Sequence, residues 1–206
     1  MLKKILLLFF ASFLVNFSNA QCRFLKKTEA YRFSVFNNQY YLPFAGVKNI
    51  FTSKYHLGLS AGIVKNNKEK KKSTTYYDLM LGVYHHRFIQ TGIQLYGNVG
   101  YRYKLPQKFY ISSEFGIGYL HALIHQKSFK ADDNGNYSKV KTIGKPQLLI
   151  AIGIIAGKQV NILNKQGRIF LNYQAWFQMP YIKSYVPLLP NNSFHLGFDL
   201  IIDKKK

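Results

Sequence analysis

The chain has 206 residues, of which 29 are lysine or arginine and 8 are aspartate or glutamate, and it contains one cysteine. This length limits the protein to one domain or at most two small ones, and the single cysteine excludes a disulfide framework and a cysteine-based zinc site. An apolar content of 48% is too high for a disordered basic tail. The formal charge of +21 indicates an anionic partner, either nucleic acid or a lipid surface.

The beginning of the chain has the three-part pattern of a cleaved secretory signal peptide. A short lysine-containing segment precedes an apolar run over residues 5–15, and small residues follow just before a cleavage site at Gln21. The apolar run is too short to span ~30 Å of hydrocarbon as a helix, which argues against an N-terminal membrane anchor. Cys22 leaves lipidation of its thiol open as an alternative. We therefore expect residues 1–20 to be removed and residues 21–206 to form the exported domain.

Export changes the interpretation of the basic charge. An exported protein does not meet the genome, and the chain carries no zinc-knuckle, RNP-type or helix-turn-helix signature. We therefore expect no nucleic acid among the partners. Anionic lipid head groups become the expected counter-surface for the lysines and arginines.

Apolar and polar side chains alternate along almost all of the exported chain. In residues 90–104, for example, Ile93, Leu95 and Val99 share one face, while Gln94 lies on the other. Because successive side chains of a strand point to opposite faces, each such segment predicts a strand with one apolar and one polar side. In chain order, the predicted strands are 31–37, 55–64, 75–88, 90–104, 108–121, 147–160, 168–181 and 194–202.

The lengths of these strands and of their connections favour a membrane barrel. Strands of globular proteins usually have about 5–6 residues, whereas a tilted strand that crosses a bilayer needs about 9–11. The connections after odd strands are long at 38–53, 122–146 and 183–193, and short at 87–90; those after even strands are generally short. Long outer loops and tight periplasmic turns alternate in this way in outer-membrane barrels. We therefore predict an all-β fold, a single antiparallel up-and-down transmembrane barrel of about eight strands.

A soluble periplasmic ligand-binding barrel is the alternative architecture, and it reverses the two faces. In that case the apolar side chains would line a cavity and the polar ones would meet water. Two features favour the membrane version. The polar faces carry glycine, tyrosine, glutamine, asparagine and a few charges of both signs, as a packed small-barrel interior does. The apolar faces are nearly free of charge and have aromatic residues near the strand ends, where interface girdles lie.

Five segments of the chain carry a resemblance to a known family. They are 41–46, 85–96, 118–121, 185–191 and 195–197, and the most specific of them is the loop Tyr-Val-Pro-Leu-Leu-Pro-Asn at 185–191. Together they resemble a family of small, largely uncharacterised outer-membrane β-barrel proteins of Gram-negative bacteria, over nearly all of the exported chain. The resemblance implies the fold and the outer membrane, and it brings no established activity with it.

Polar side chains on the inward faces predict a hydrogen-bonded network that fills the barrel. The candidate members of this interior network are Asp78, His86, Arg102, Ser112, Glu114, His195 and Asp199. Carboxylates that face Arg32 and Arg102 can compensate their charge, and buried polar groups must be paired in any case. Because side chains fill the lumen of a barrel of eight strands, we do not expect a general diffusion pore.

The same residue types leave a catalytic alternative open. Outer-membrane barrels include lipid A acyl-modifying enzymes, and His86, Ser112 and Glu114 supply a base, a nucleophile and a carboxylate on inward faces, with His121 and His125 near the loop end of the fifth strand. A serine nucleophile needs a base within ~3 Å and an orienting third group, which spacing in sequence cannot establish. We therefore assign no catalytic residue and no cofactor, and keep a lipid A-modifying enzyme as the alternative function.

Two adjacent histidines, His85 and His86, are the residues best suited to hold a metal ion. Adjacent side chains of a strand point to opposite faces, so one site could not easily use both. We therefore predict no metal site.

The long connection at 122–146 concentrates basic charge on one side of the predicted barrel. If the connections after odd strands face outward, five lysines lie at the cell surface: Lys127, Lys130, Lys139, Lys141 and Lys145. Lipopolysaccharide phosphates are the dense anions there, so we expect these lysines to face lipopolysaccharide. The predicted function is structural or interaction-based at the cell envelope, after assembly by the barrel insertion machinery, with the oligomeric state left open.

Overall fold

The computed structural model describes residues 29–43, 54–87, 89–125, 128–131, 137–140, 144–162, 165–182 and 185–202. The expected signal peptide, its cleavage site and Cys22 lie outside these ranges. Within them, the strands in chain order are β1 (Ala30–Gln39), β2 (Leu57–Glu69), β3 (Ser73–His85), β4 (Gln90–Lys104), β5 (Phe109–Ile124), β6 (Ser128–Ala131), β7 (Tyr137–Val140), β8 (Lys145–Ile162), β9 (Lys165–Met179) and β10 (Leu189–Ile201). A short 3₁₀ turn, Pro106–Lys108, precedes β5.

Eight of these strands close into one barrel in the order β1-β10-β9-β8-β5-β4-β3-β2. All neighbouring pairs are antiparallel. Strand β1 closes the barrel by pairing with β10, so that Ala30 lies opposite Ile201 and Gln39 lies opposite Asn192. The prediction of an antiparallel up-and-down barrel of about eight strands is therefore confirmed.

A small hairpin was not predicted. Strands β6 and β7 pair with each other outside the barrel, within the connection from β5 to β8. The sequence contains a hairpin signal between them, because Asn134-Gly135 is a favoured two-residue turn. These two residues lie outside the described part of the chain.

The two faces of the barrel wall alternate as the sequence pattern predicts. In β4, Ile93, Leu95 and Val99 are 41–54% exposed on the outside, whereas Gln94 and Asn98 are 4–5% exposed inside. All eight barrel strands turn an apolar face outward. Their inward faces are mostly polar, with a buried apolar cluster that includes Met80, Tyr84, Leu149 and Trp176. A soluble ligand-binding barrel would turn its polar face to water, so the apolar outer face does not fit this alternative architecture.

The connections define two different ends of the barrel. Those from β2 to β3, from β4 to β5 and from β8 to β9 are tight, and β1 begins and β10 ends beside them; we call this the turn end. The other four connections form the loop end, where only the one between β3 and β4 is short. The strand boundaries also differ in places from the prediction. Strand β10 begins at Leu189, so the last part of the 185–191 loop is already paired with β9.

Candidate functional site in the barrel interior

The centre of the barrel holds one arginine among three carboxylates from other strands. Arg32 Nη1 lies 2.8 Å from Asp78 Oδ2 and 2.8 Å from Glu114 Oε1, and Arg32 Nε lies 2.9 Å from Asp199 Oδ1. None of the four side chains is more than 4% exposed. The sequence predicts that these residues face inward, and the closure of the barrel brings them together. We call this group the ion cluster.

Each carboxylate of the ion cluster also accepts a second hydrogen bond. The donors are Asn98 Nδ2 to Asp78 Oδ1 at 2.6 Å, Tyr76 Oη to Glu114 Oε1 at 2.7 Å, and Arg168 Nε to Asp199 Oδ2 at 3.0 Å. Burying a charge without partners is very costly, so these extra donors are what make a buried cluster of this kind tolerable. The ion cluster therefore links strands from all sides of the barrel.

Two other predicted network members, Arg102 and Ser112, lie opposite each other nearer the turn end. The Arg102 guanidinium lies over the ring of Tyr76, 4.5 Å from its centroid, and 5.2 Å from the centroid of Tyr110. Its Nε and Nη2 atoms, and the Ser112 hydroxyl, are buried without a hydrogen-bond partner. The structure therefore places Arg102 beside the ion cluster without joining it to a carboxylate.

Two glycines on neighbouring strands make room for these aromatic rings. Gly100 lies directly across from Tyr76, and Gly157 lies across from Tyr110. A Cβ atom at Gly100 would collide with the Tyr76 ring, and one at Gly157 would collide with the Tyr110 ring. The rings can therefore lie flat against the wall and leave space for the arginine above them.

His195 lies on the loop-end side of the ion cluster and contacts a serine that the sequence did not single out. Its Nδ1 lies 3.1 Å from Ser34 Oγ, which in turn lies 2.7 Å from Ser60 Oγ. The imidazole ring stacks on Phe36 with a centroid distance of 4.6 Å, and its Nε2 has no hydrogen-bond partner. A serine–histidine pair needs a third group that orients the base. No carboxylate of the described residues bonds His195, so the pair lacks that group.

His86 lies at the loop end, far from the other predicted members. Its ring stacks on His56 at 3.6 Å between centroids and meets Tyr40 edge-on at 4.8 Å. Burial, helped by the neighbouring His56 ring, lowers the pKa of His86 to about 4. Burial also lowers the pKa of His56 and raises the pKa of Tyr40.

His86 and Ser112, the base and the nucleophile of the catalytic alternative, lie far apart in the barrel. In the strand register, Ser112 lies opposite Arg102, and Arg102 lies opposite Thr74 on β3. From Thr74 to His86 the chain runs almost the whole length of β3, which is about 40 Å at ~3.3 Å per residue. These two side chains therefore cannot act together on one substrate.

The loop-end side of the lumen is closed by buried amides and hydroxyls, which we call the amide layer. Its hydrogen bonds are Asn38 to Asn191 at 3.1 Å, Ser193 to Asn38 at 2.8 Å, Trp176 to Ser193 at 2.9 Å, and Gln90 to Gln178 at 2.9 Å. None of these side chains is more than 1% exposed. Asn191 and Ser193 were not predicted as interior residues, because the segment 183–193 has the composition of a loop.

Little open space remains in the centre of the lumen. The cavity beside Arg32 and His195 has a volume of about 10 Å³, which is no more than a single water molecule requires. Among the described residues, the ion cluster and the amide layer together therefore leave no continuous channel through the barrel.

The other histidines lie on the outer wall at the loop end. Thr91 Oγ1 lies 2.9 Å from His85 Nδ1 and 2.9 Å from His125 Nε2, and His121 Nδ1 lies 2.8 Å from Tyr119 Oη. His85 is exposed and His86 is buried, as expected for neighbours on one strand. Within the described ranges, no three or more histidine, cysteine, aspartate or glutamate side chains come together as a metal site.

The lysines predicted to face lipopolysaccharide belong to the connection between β5 and β8. Lys145 is exposed at the first position of β8, and Lys130 and Lys139 belong to strands β6 and β7. Lys127 and Lys141 lie outside the described residues. These strand positions put Lys130, Lys139 and Lys145 at the loop end, and contact of the five lysines with lipopolysaccharide stays a prediction.

Comparisons with known proteins give similarity in fold alone. No protein-family model matches the chain, and no curated protein matches its sequence. Among solved structures, Neisserial surface protein A (NspA) aligns with a TM-score of 0.51 at 8% identity, over 84% of this chain and 96% of NspA. The outer membrane enzyme PagL aligns with a TM-score of 0.46 at 10% identity, over 84% of this chain and 99% of PagL. The Yersinia pestis outer membrane protein Ail aligns with a TM-score of 0.36 at 12% identity, over 84% of this chain and 99% of Ail.

The described part of the chain contains no helix long and apolar enough to cross a membrane. The narrower resemblance carried by the 185–191 loop stays a prediction, since no family model matches. The likeness to NspA and the closed strand order agree on the architecture, and the chain has the eight-stranded barrel fold of outer-membrane β-barrel proteins.

Proposed function

We propose that the protein is an integral outer-membrane protein with a structural or interaction role at the cell envelope, and we assign it no catalytic activity. The observation that carries this proposal is the apolar outer wall. Large apolar side chains on all eight barrel strands are 39–61% exposed, including Phe33, Leu57, Ile152 and Leu196. Soluble monomers rarely expose contiguous apolar patches larger than a few hundred Å². In a bilayer the same wall contacts lipid, and the closed barrel satisfies its own backbone hydrogen bonds.

Aromatic side chains at the two ends of the wall support the same proposal. Tyrosine and phenylalanine are enriched where membrane barrels meet the lipid head groups. Exposed aromatic residues near the turn end are Tyr31, Tyr77, Tyr101, Tyr103 and Phe109. At the loop end, Tyr55 and Tyr185 are also exposed. The apolar band therefore has aromatic residues at both of its borders.

The filled interior argues for a scaffold rather than a channel or an enzyme. The ion cluster and the amide layer occupy the lumen, so general diffusion of solutes has no path through the described residues. His86 and Ser112, the base and the nucleophile of the catalytic alternative, lie near opposite ends of the barrel. The loop end is available for partners at the cell surface, and Lys130, Lys139 and Lys145 provide basic charge there for lipopolysaccharide phosphates. The barrel insertion machinery is the expected assembly partner.

Cysteine labelling in isolated outer membranes tests the orientation of the wall. In a Cys22→Ser background, a membrane-soluble maleimide should react with Leu95→Cys and Val99→Cys. The matched inward variants Gln94→Cys and Asn98→Cys should react little, because their side chains are buried in the lumen. Recovery of the protein in the soluble periplasmic fraction, or preferential reaction at 94 and 98, would overturn the proposal.

A further inference from the structure

The interior opens at the turn end into a cavity of about 330 Å³, which we call the turn-end vestibule. Its walls come from inward positions of several strands and from the tight turn between β4 and β5. Among the lining residues are Arg102, Lys104, Lys108, Tyr110, Arg168 and Glu69. Unlike the small central cavity, the turn-end vestibule has room for a ligand group.

Arg102 gives the turn-end vestibule an unusual feature, because this buried cation has no anionic partner. The residue is only 4% exposed, and its Nε and Nη2 atoms make no hydrogen bond. The carboxylates of the ion cluster already accept hydrogen bonds from other donors; Glu114, for example, accepts them from Arg32 and Tyr76. No ion pair among the described residues includes Arg102. Leaving a buried guanidinium unpaired costs more than leaving a neutral group unpaired.

Other donors of the turn-end vestibule are also unused. Arg168 Nη2 and the Tyr110 hydroxyl are buried without a hydrogen-bond partner. Four basic side chains line the cavity against two acidic ones, and the acidic ones are already paired: Glu69 with Lys104 at 2.6 Å and Glu29 with Arg168 at 3.1 Å. The lining therefore has an excess of positive charge together with free hydrogen-bond donors.

We propose that the turn-end vestibule binds a phosphate group, with the Arg102 guanidinium as its main ligand and with Arg168 and Tyr110 as further donors. A guanidinium presents two parallel N–H groups that match two phosphate oxygens. Phosphate suits the site better than a carboxylate does, because donors on several strands can reach its additional oxygens and the lining carries excess positive charge. The site does not depend on the proposed function; that function only assigns the turn end to the periplasm.

Titration of the purified full-length protein with inorganic phosphate tests the proposal. The protein is kept in a maltoside detergent, which contains no phosphate, and binding is followed by calorimetry and by the Arg Nε–H resonances. Arg102→Gln should weaken phosphate binding at least ten-fold (about 1.4 kcal/mol). The control Lys71→Gln removes one exposed positive charge from the same end of the barrel, and it should change the affinity less than two-fold. Equal weakening by both variants would overturn the site in favour of general charge attraction.

A second variant keeps the test decisive if Arg102→Gln does not fold. Tyr110→Phe removes only the unpartnered hydroxyl, and it should weaken phosphate binding several-fold while circular dichroism stays unchanged. Acetate should bind much more weakly than phosphate to the unsubstituted protein and to each variant. If acetate binds as tightly, or if neither inorganic phosphate nor dihexanoyl-phosphatidylglycerol moves the Arg102 Nε–H resonance, the phosphate assignment is wrong.

Two probes distinguish the possible sources of the phosphate group. A response to inorganic phosphate alone assigns the turn-end vestibule to a soluble phosphate compound. A response to dihexanoyl-phosphatidylglycerol but not to inorganic phosphate assigns it to a lipid head group. Both responses must be lost in Arg102→Gln, and either response that persists in that variant would contradict the proposal.

Discussion

Arg32 and Asp199 lie directly opposite each other in the strand pair that closes the barrel, and their side chains meet twice, with Nε 2.9 Å from Oδ1 and Nη2 3.4 Å from Oδ2. The two residues are 167 positions apart in sequence. Their bonds can form only after β1 has met β10. The charged centre of the lumen therefore forms together with barrel closure.

Removal of Arg32 should destabilise the barrel strongly, because it leaves three buried carboxylates with fewer donors. We expect Arg32→Met to lower the free energy of unfolding by about 3–5 kcal/mol. Urea unfolding followed by the fluorescence of the single tryptophan, Trp176, measures the effect. The matched control is Lys104→Met, which breaks an exposed ion pair with Glu69 of 2.6 Å and should cost only ~0–1 kcal/mol. Similar losses in the two variants would contradict a structural role of the ion cluster.

An arginine on the outer wall should be costly in proportion to its depth in the bilayer. Leu95→Arg, near the middle of β4, should destabilise the barrel folded in vesicles by about 2–4 kcal/mol. Leu57→Arg, at the loop end of β2, should cost only ~0–1 kcal/mol because it lies near the head groups. Both leucines are strongly exposed on the outer wall. Equal costs at the two positions, measured by equilibrium folding in lipid vesicles, would show that the wall does not contact hydrocarbon.

The loop end should open as the pH falls, because His86 is held in its neutral form. Its pKa of about 4 lies below the ordinary value of 6.5, so the unfolded loop end binds more protons than the folded one between these pH values. The stabilisation is therefore complete above about pH 6.5 and is lost progressively as the pH falls towards 4. Hydrogen exchange of the Ile89 amide, which bonds to the His86 carbonyl at 3.2 Å, should accelerate relative to control amides over this range.

A variant separates this effect from the titration of His56. His86→Phe keeps an aromatic ring against His56 and removes the proton site, so the pH dependence of exchange should become smaller. A pH profile that remains the same in His86→Phe would assign the effect to His56 or to another group.

The basic loop should bind lipopolysaccharide through charge. We expect weaker binding of the purified protein to lipopolysaccharide when the five candidate lysines are replaced with Gln: Lys127, Lys130, Lys139, Lys141 and Lys145. The loss should be larger at low salt, because surface charges are screened within ~8–10 Å at physiological ionic strength. Replacement of Lys70, Lys71 and Lys72 at the turn end is the control and should have little effect. An epitope tag at Asn134-Gly135 should be accessible on intact cells. A tag that is reached only after permeabilisation would invert the proposed orientation.

Expression of the protein should leave the mass of lipid A unchanged. The one serine–histidine contact in the described part of the chain, Ser34 with His195, has no orienting carboxylate and lies in the closed lumen. Mass spectrometry of lipid A from cells with and without the gene measures this directly. A mass change that disappears in Ser34→Ala or His195→Ala would replace the scaffold with the enzyme alternative.

The alternation of side chains made the barrel wall predictable from the sequence. Leu95 faces out and Gln94 faces in because neighbouring side chains of an extended strand point to opposite sides, whatever the rest of the chain does. The same local rule separates His85 from His86. The number of alternating segments predicted the number of strands, and their lengths and the alternation of long and short connections predicted the membrane barrel.

The partners inside the lumen were decided only by the tertiary structure. Inward-facing Asp78, Glu114 and Asp199 meet Arg32 because the register of four strands brings them to one level, whereas Ser112 and His86, also inward-facing, end far apart. Arg102 faces the same lumen, yet no ion pair among the described residues includes it. The sequence alone thus determined which side of the wall each residue occupies, since that depends on the geometry of single strands. Closure and register determined which charges meet, because they set the depth of each side chain in the barrel.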